Sequence, residues 1–155
     1  MKKKKIILLA VVVLVMISVA AFIGYNLFNK NTKHLDGSKA DLKISAADLI
    51  KKFETDEAAA NKEFLGKKLD FIITVSGPVK EIIKDETGAY TVVLGDSTTK
   101  SSVRCSIDSM QNQQAASLNA GSNVSIKGAI TGFMKEDLGI GSDVVLNRCV
   151  IEVKN

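Results

Sequence analysis

The sequence predicts a mainly β domain: a small barrel closed by five strands, with one helix ahead of the strands and a shorter helix between the third and fourth. Three observations predict it. Leu65 to Ile83 reads as one long strand of alternating character, interrupted only at Gly77-Pro78. Four shorter runs of the same period follow it, each bounded by turn residues. The one long amphipathic helix pattern of the domain precedes all five. A single transmembrane helix is expected before the domain.

That helix is read from the N-terminus. Lys2 to Lys5 form a basic cluster, and Ile6 to Phe28 follow without one charged residue. At 1.5 Å per residue a helix of this length spans about 34 Å, enough to cross the hydrocarbon core of a bilayer. The lysines stay cytoplasmic by the positive-inside rule, which puts the remaining chain outside, in the periplasm or the extracellular space. A cleaved signal peptide is the competing reading, since Ser18-Val19-Ala20 resembles a small-residue cleavage site. Against it, the apolar run continues through Ala21, Phe22, Ile23, Tyr25 and Leu27. No cysteine lies near the segment, so a lipid anchor at its end is not expected. Residues 1–5, 6–28, 29–42 and 43–155 are thus read as lysine cluster, anchor, polar tether and domain. His34, the single histidine, falls in the tether and reads as a solvated side chain.

The net charge is +4, but its distribution matters more. Residues 41–155 hold 14 of the 21 basic and 16 of the 17 acidic side chains, so the basic excess belongs to the membrane flank. Non-specific affinity for nucleic acid comes mainly from cations set against phosphates. The domain shows no such excess, and nucleic acid is disfavoured as a partner.

Within the domain, Ser45-Ala46-Ala47-Asp48 has the spacing of a capping box, with Ile44 and Leu49 placed for a hydrophobic staple. The helix should run to about Glu63 with Leu49, Phe53, Ala60 and Phe64 on its apolar stripe. Glu57 falls on that stripe and is expected to be partly buried, a structural carboxylate paired with Lys67, Lys68 or backbone N–H groups. In the first strand Leu69, Phe71, Ile73 and Val75 face inward. Proline cannot donate to a ladder and glycine tolerates a bulge, so Gly77-Pro78 marks a corner rather than an end. Ala89 to Leu94 forms a hairpin with it. Ser102 to Ile107 follows, with Val103, Cys105 and Ile107 inward. Asp108 or Ser109 caps a short helix from Met110 to Leu118. Asn123 to Ile130 is the fourth strand, a glycine-rich loop spans Gly132 to Ser142, and Asp143 to Val153 is the fifth.

Five strands in this order, with a long kinked first strand and a helix between the third and fourth, describe an OB-fold barrel. The stretch from Ile44 to Val79, together with VRCSI, LNAGSNVSIKGAI and VVLNRCVI, resembles the tRNA-anticodon-like OB-fold proteins of bacterial envelopes. Its sharpest parts are Asp56-Glu57 with Ala60, the Phe64-Leu65-Gly66-Lys67 step, and the pair Cys105 and Cys149. Asp56 stands where the pattern has asparagine and Phe64 where it has tyrosine. The resemblance implies an OB barrel in the cell envelope. The family name reflects a fold shared with anticodon-binding domains and does not itself imply tRNA binding.

Cys105 and Cys149 lie on strands three and five, neighbours in an OB barrel, and outside the cytoplasm a disulfide between them would persist. Closing the loop of about 45 residues between them is worth roughly 4 kcal/mol in the chain-entropy model. Two buried free thiols are the other reading. The ligand face expected of an OB fold is formed by Tyr90, the acids Asp85 and Glu86 of the first hairpin, and Phe133, Glu136 and Asp137 of the last loop. No metal site, cofactor or catalytic motif is read. The reading is a non-catalytic, membrane-anchored, extracytoplasmic OB-fold module that binds an envelope protein or small ligand. An oligonucleotide- or oligosaccharide-binding domain is the alternative.

Overall fold

A computed structural model of the 155-residue chain describes residues 13–25, 35–66, 71–135 and 141–152. The chain divides into two units, Met1–His34 and Leu35–Asn155. In the first, residues 13–25 are helical and their apolar side chains are exposed, Leu14, Met16 and Phe22 among them. The remainder of the expected 6–28 anchor lies outside the described residues. Among the described residues no helix is long and apolar enough to cross a membrane.

The second unit runs β1 (Leu42–Ser45), α1 (Ala46–Thr55), α2 (Glu57–Phe64), β2 (Ile72–Lys84), β3 (Tyr90–Leu94), β4 (Ser102–Ile107), a 3-10 turn (Ser109–Gln111), α3 (Asn112–Ala116), β5 (Asn123–Lys135) and β6 (Ser142–Glu152). The sheet order is β1-β2-β3-β4-β6-β5, and β2 also pairs with β5, which closes β2 to β6 into the expected five-stranded barrel. β2 makes this closure. Its first half pairs antiparallel with β5 from Ile72 to Pro78, and its second half pairs with β3 from Val79 to Lys84. The exchange of partners falls at the Gly77-Pro78 step, as the alternation predicts. Gly77 has a second reason to lack a side chain: a Cβ there would stand 3.0 Å from the Ala46 Cβ, where α1 begins against the barrel.

Three departures from the expected elements have local causes. The described part of β2 begins at Ile72 rather than Leu65, because Leu65 is still in helical conformation as the C-cap of α2. The single long helix is two, broken at Asp56, whose extended backbone ends α1 and whose carboxylate accepts the Ala59 N–H at 2.9 Å as the N-cap of α2. An aspartate at an N-cap satisfies an amide that the new helix would otherwise leave bare. Finally, LKIS adds a sixth strand, β1, parallel to β2, with Leu42 opposite Ile73 and Ser45 opposite Ser76. The chain is held to the barrel before that: Asp41 exchanges hydrogen bonds with the Ile72 backbone, and Leu35 is buried against Ala129 and Val150.

The capping box forms as expected, with the Asp48 amide donating to Ser45 Oγ at 3.0 Å and that hydroxyl donating to Asp48 Oδ2 at 2.7 Å. α1 lays Leu49, Ile50 and Phe53 over the barrel, where Phe53 stacks between Phe64 and Phe133 at 5.6 and 4.9 Å. Inward residues alternate along β2, β3 and β4: Ile73 and Val75, Val92 and Leu94, Val103 and Cys105, all fully buried. β6 keeps its apolar residues inside by a bulge. Arg148 takes a positive φ of 56°, the register slips opposite Gly128, and both Leu146 and Cys149 face the core although three residues apart. Gly128 makes the room, since a Cβ there would lie 2.6 Å from Cys149 Sγ. Gly128→Ala is therefore expected to lower stability by about 1–3 kcal/mol in urea denaturation. The loss should be smaller in a Cys149→Ala background; an equal loss in both would show that the sulfur is not what the methyl group meets.

Candidate functional site

An OB barrel presents its ligand face on the second and third barrel strands, between two loops. Here those strands are β3 and β4, and the outward register runs Glu81, Val93, Arg104 and Val145 across β2, β3, β4 and β6. The parallel pairing of β4 with β6 sets Ser102 opposite Asp143. Arg104 Nε donates to Asp143 Oδ2 at 2.6 Å, and the nearly buried Ser102 hydroxyl donates to the other oxygen of the same carboxylate. Lys80 Nζ donates to the Thr99 carbonyl at 2.6 Å and so ties the β3–β4 loop to β2. With Lys100 and Gly141 these side chains line a cleft of about 200 Å3. Its three cations, Lys80, Lys100 and Arg104, stand against two acids, Glu81 and Asp143. Arg104 and Asp143 are 39 residues apart, and only the register of β4 on β6 brings them together.

The residues expected on this face divide. Asp85 is spent on its own turn, accepting from the Thr87 hydroxyl and from the amides of Thr87 and Ala89. The Thr87 hydroxyl first, and then the Ala89 amide, hold its carboxyl below its ordinary value. Asp96 does the same with Thr98 in the next loop. Glu86 is exposed in the first of these turns. Tyr90 is half-buried against the core, with Lys84 Nζ 5.5 Å from its ring centroid. Phe133 is not a rim residue: it stacks on Phe53 beneath α1, drawn there by apolar area that the rim would leave wet. Glu136 and Asp137 lie outside the described residues. The domain's described aromatic rings all belong to the core or pack against it, so none forms a stacking platform.

Glu57 also differs from the expectation. The break at Asp56 rotates α2 relative to α1, and Glu57 opens α2 as an exposed residue of its first turn, where the helix dipole favours a carboxylate. Lys67 and Lys68 lie outside the described residues, as does His34. Cys105 and Cys149 are both fully buried and adjacent, two thiols in hydrogen-bond contact with each other. Burial, and then the Cys105 contact, push the Cys149 thiol well above its ordinary value. Among the described residues no cluster of His, Cys, Asp or Glu could hold a metal. A larger concavity, about 600 Å3, opens in the angle between α1 and α2. Of its charges, Lys52 meets Glu63 at 2.9 Å, and Asp48 and Asp56 are taken up in the helix caps.

A family model described as tRNA_anti-like matches residues 1–150. The chain belongs to the tRNA_anti-like family. No curated protein sequence matches it. Among solved structures, this tRNA_anti-like chain is similar to a candidate nucleic acid-binding lipoprotein of Klebsiella pneumoniae, at 18% identity and a TM-score of 0.52, over 72% of this chain and 92% of that one. It is also similar to the S. pombe Stn1-ten1 complex, at 18% identity and 0.38, over 54% of this chain and 59% of that one. The asparaginyl-tRNA synthetase of Entamoeba histolytica matches at 13% and 0.39, over 54% of this chain and 20% of that one. At these identities the likeness shows the fold alone, and the two lower scores carry no argument.

The hydrogen bonds that lower the Asp85 carboxyl favour the ionised, folded form. Their stabilisation is present above the ordinary carboxylate value of 3.8 and is lost as the pH falls through the depressed folded value. Asp85→Ala is expected to lower the urea midpoint at pH 7, with the difference from the parent shrinking at acid pH. A difference that stays constant down to pH of about 2 would contradict that role.

Proposed function

We propose that this protein is a non-catalytic binding module held at the outer face of the cytoplasmic membrane, which presents the β2–β3–β4 face of its barrel to a protein or small polar ligand. The observation that carries the reading is the make-up of that face: Arg104, Asp143, Ser102 and Lys80 in a hydrogen-bonded cleft, with the described aromatic rings in the core or packed against it. Such a surface recognises charge and hydrogen bonding. It lacks the rings on which single-stranded bases stack, each worth about 1–3 kcal/mol. The membrane part of the proposal rests on the Lys2 to Lys5 cluster, the uncharged run to Phe28, and the apolar exposure of residues 13–25, since a helix apolar all round needs protein or lipid about it. An oxidising compartment would close Cys105 and Cys149 into a disulfide, which belongs to the same reading.

A second reading, an oligonucleotide-binding domain, is favoured by Lys80, Lys100 and Arg104 and by the name of the Klebsiella lipoprotein. Titrating the full chain in detergent with single-stranded DNA at low salt separates the two. The first reading predicts no salt-dependent binding. Affinity that falls steeply with salt, and falls again in Lys80→Ala and Arg104→Ala, would establish the second. For the compartment, non-reducing mass spectrometry of envelope-purified protein is expected to find the two cysteines joined. Two alkylatable thiols after unfolding would speak for a reducing compartment.

A further inference from the structure

A second concavity, about 470 Å3, lies on the outer wall made by β1, the first half of β2, β5 and the end of β6. Register sets Lys43 beside Thr74 and Thr74 beside Lys127. One step along, Ser125 stands opposite Glu152, and Asp36 contributes to the rim. Thr74 is 2% exposed, and its hydroxyl has no hydrogen-bond partner. Lys127 is 7% exposed, and its ammonium meets the Glu152 carboxylate at 3.5 Å, longer than a good hydrogen bond. Buried polar groups are almost always satisfied, because an unpaired one forfeits its hydration for nothing. Here two poorly satisfied groups adjoin on neighbouring strands and line one cavity, whose volume falls within the range of about 300–1,000 Å3 usual for small-ligand sites.

The charge of the lining selects the ligand. Lys43 and Lys127 balance Asp36 and Glu152. A plain anion there would face two carboxylates, and a plain cation two ammonium groups. A molecule with both charges can meet both pairs. We infer that this wall is a binding site for a small zwitterion of the amino-acid or short-peptide class. Lys127 and the Thr74 hydroxyl hold its carboxylate, and Glu152 and Asp36 hold its ammonium. The site shares no residue with the Lys80–Arg104 cleft, so the two readings fail separately.

The test is calorimetric titration of the full chain in detergent micelles at low ionic strength. The probes are glycine, dialanine, N-acetyl-dialanine and dialanine amide. The zwitterions are expected to bind more tightly than either blocked form by about tenfold or more. Glycine matching dialanine would assign the free amino acid, and dialanine alone the short peptide. Thr74→Val should weaken binding about fivefold or more, yet raise the ligand-free Tm by a few degrees, because it removes the orphaned hydroxyl. Lys127→Met should lose binding. The inference is overturned if neither zwitterion gives binding heat at millimolar concentration, if the blocked forms bind equally well, or if Thr74→Val binds like the parent. Thr74→Val keeps the test decisive should Lys127→Met fail to fold.

Discussion

The fold depends on one strand changing partners. β2 carries the sheet from β5 to β3, and the change is made within two residues because the backbone groups at the corner find other bonds. Pro78 has no N–H to lose, and its carbonyl accepts the Gly95 amide at 3.0 Å. The Val79 amide donates to the Ser122 carbonyl at 2.8 Å, and its carbonyl accepts the Gly121 amide at 2.7 Å. A corner with unmet backbone groups would cost several such bonds in a region that water reaches poorly. Filled in this way, it lets two faces of one strand serve two sheets, and the barrel closes without a free edge between β2 and β5.

The remaining features follow from that closure. Ile73 and Val75 before the corner, and Val79 at it, point into one core with Leu146 and Cys149 from the far strand. α1 can approach only because Gly77 leaves its first turn clear. On the outside, the same closure sets Arg104 beside Asp143 and Thr74 beside Lys127, pairs that lie far apart along the chain. The two walls differ in satisfaction: in the cleft Arg104, Asp143 and Lys80 are bonded, whereas the Thr74 wall leaves polar groups poorly met.

The barrel strands were legible because alternation is a local signal and Gly-Pro is an unambiguous interruption. Other features were not local. The Thr55-Asp56 break hides in a sequence rich in Ala, Lys and Glu, all good helix formers, and only the cap geometry shows that Asp56 begins a second helix. β1 is four residues long and pairs in parallel, which no short pattern announces. Leu35 stands alone among polar residues, so its burial could not be read from periodicity. The β6 bulge shifts the phase of alternation at Arg148, a change visible only once Gly128 is seen opposite. The strands that carry the Arg104 cleft were legible, but the charged residues that the register brings together on them were not. Phe133 was misplaced because a ring near a loop looks like a rim residue until the overlying helix is placed.

The central claim is the exchange of partners at the Gly77-Pro78 step, and nuclear Overhauser contacts across the backbone of β2 test it most directly. A strand that changes partners there gives cross-strand contacts from Thr74 and Ser76 to Lys127 and Ser125, and from Ile82 and Lys84 to Val92 and Tyr90, within one monomeric species. Contacts to β3 along the whole of β2, with none to β5, would mean an open sheet and contradict it.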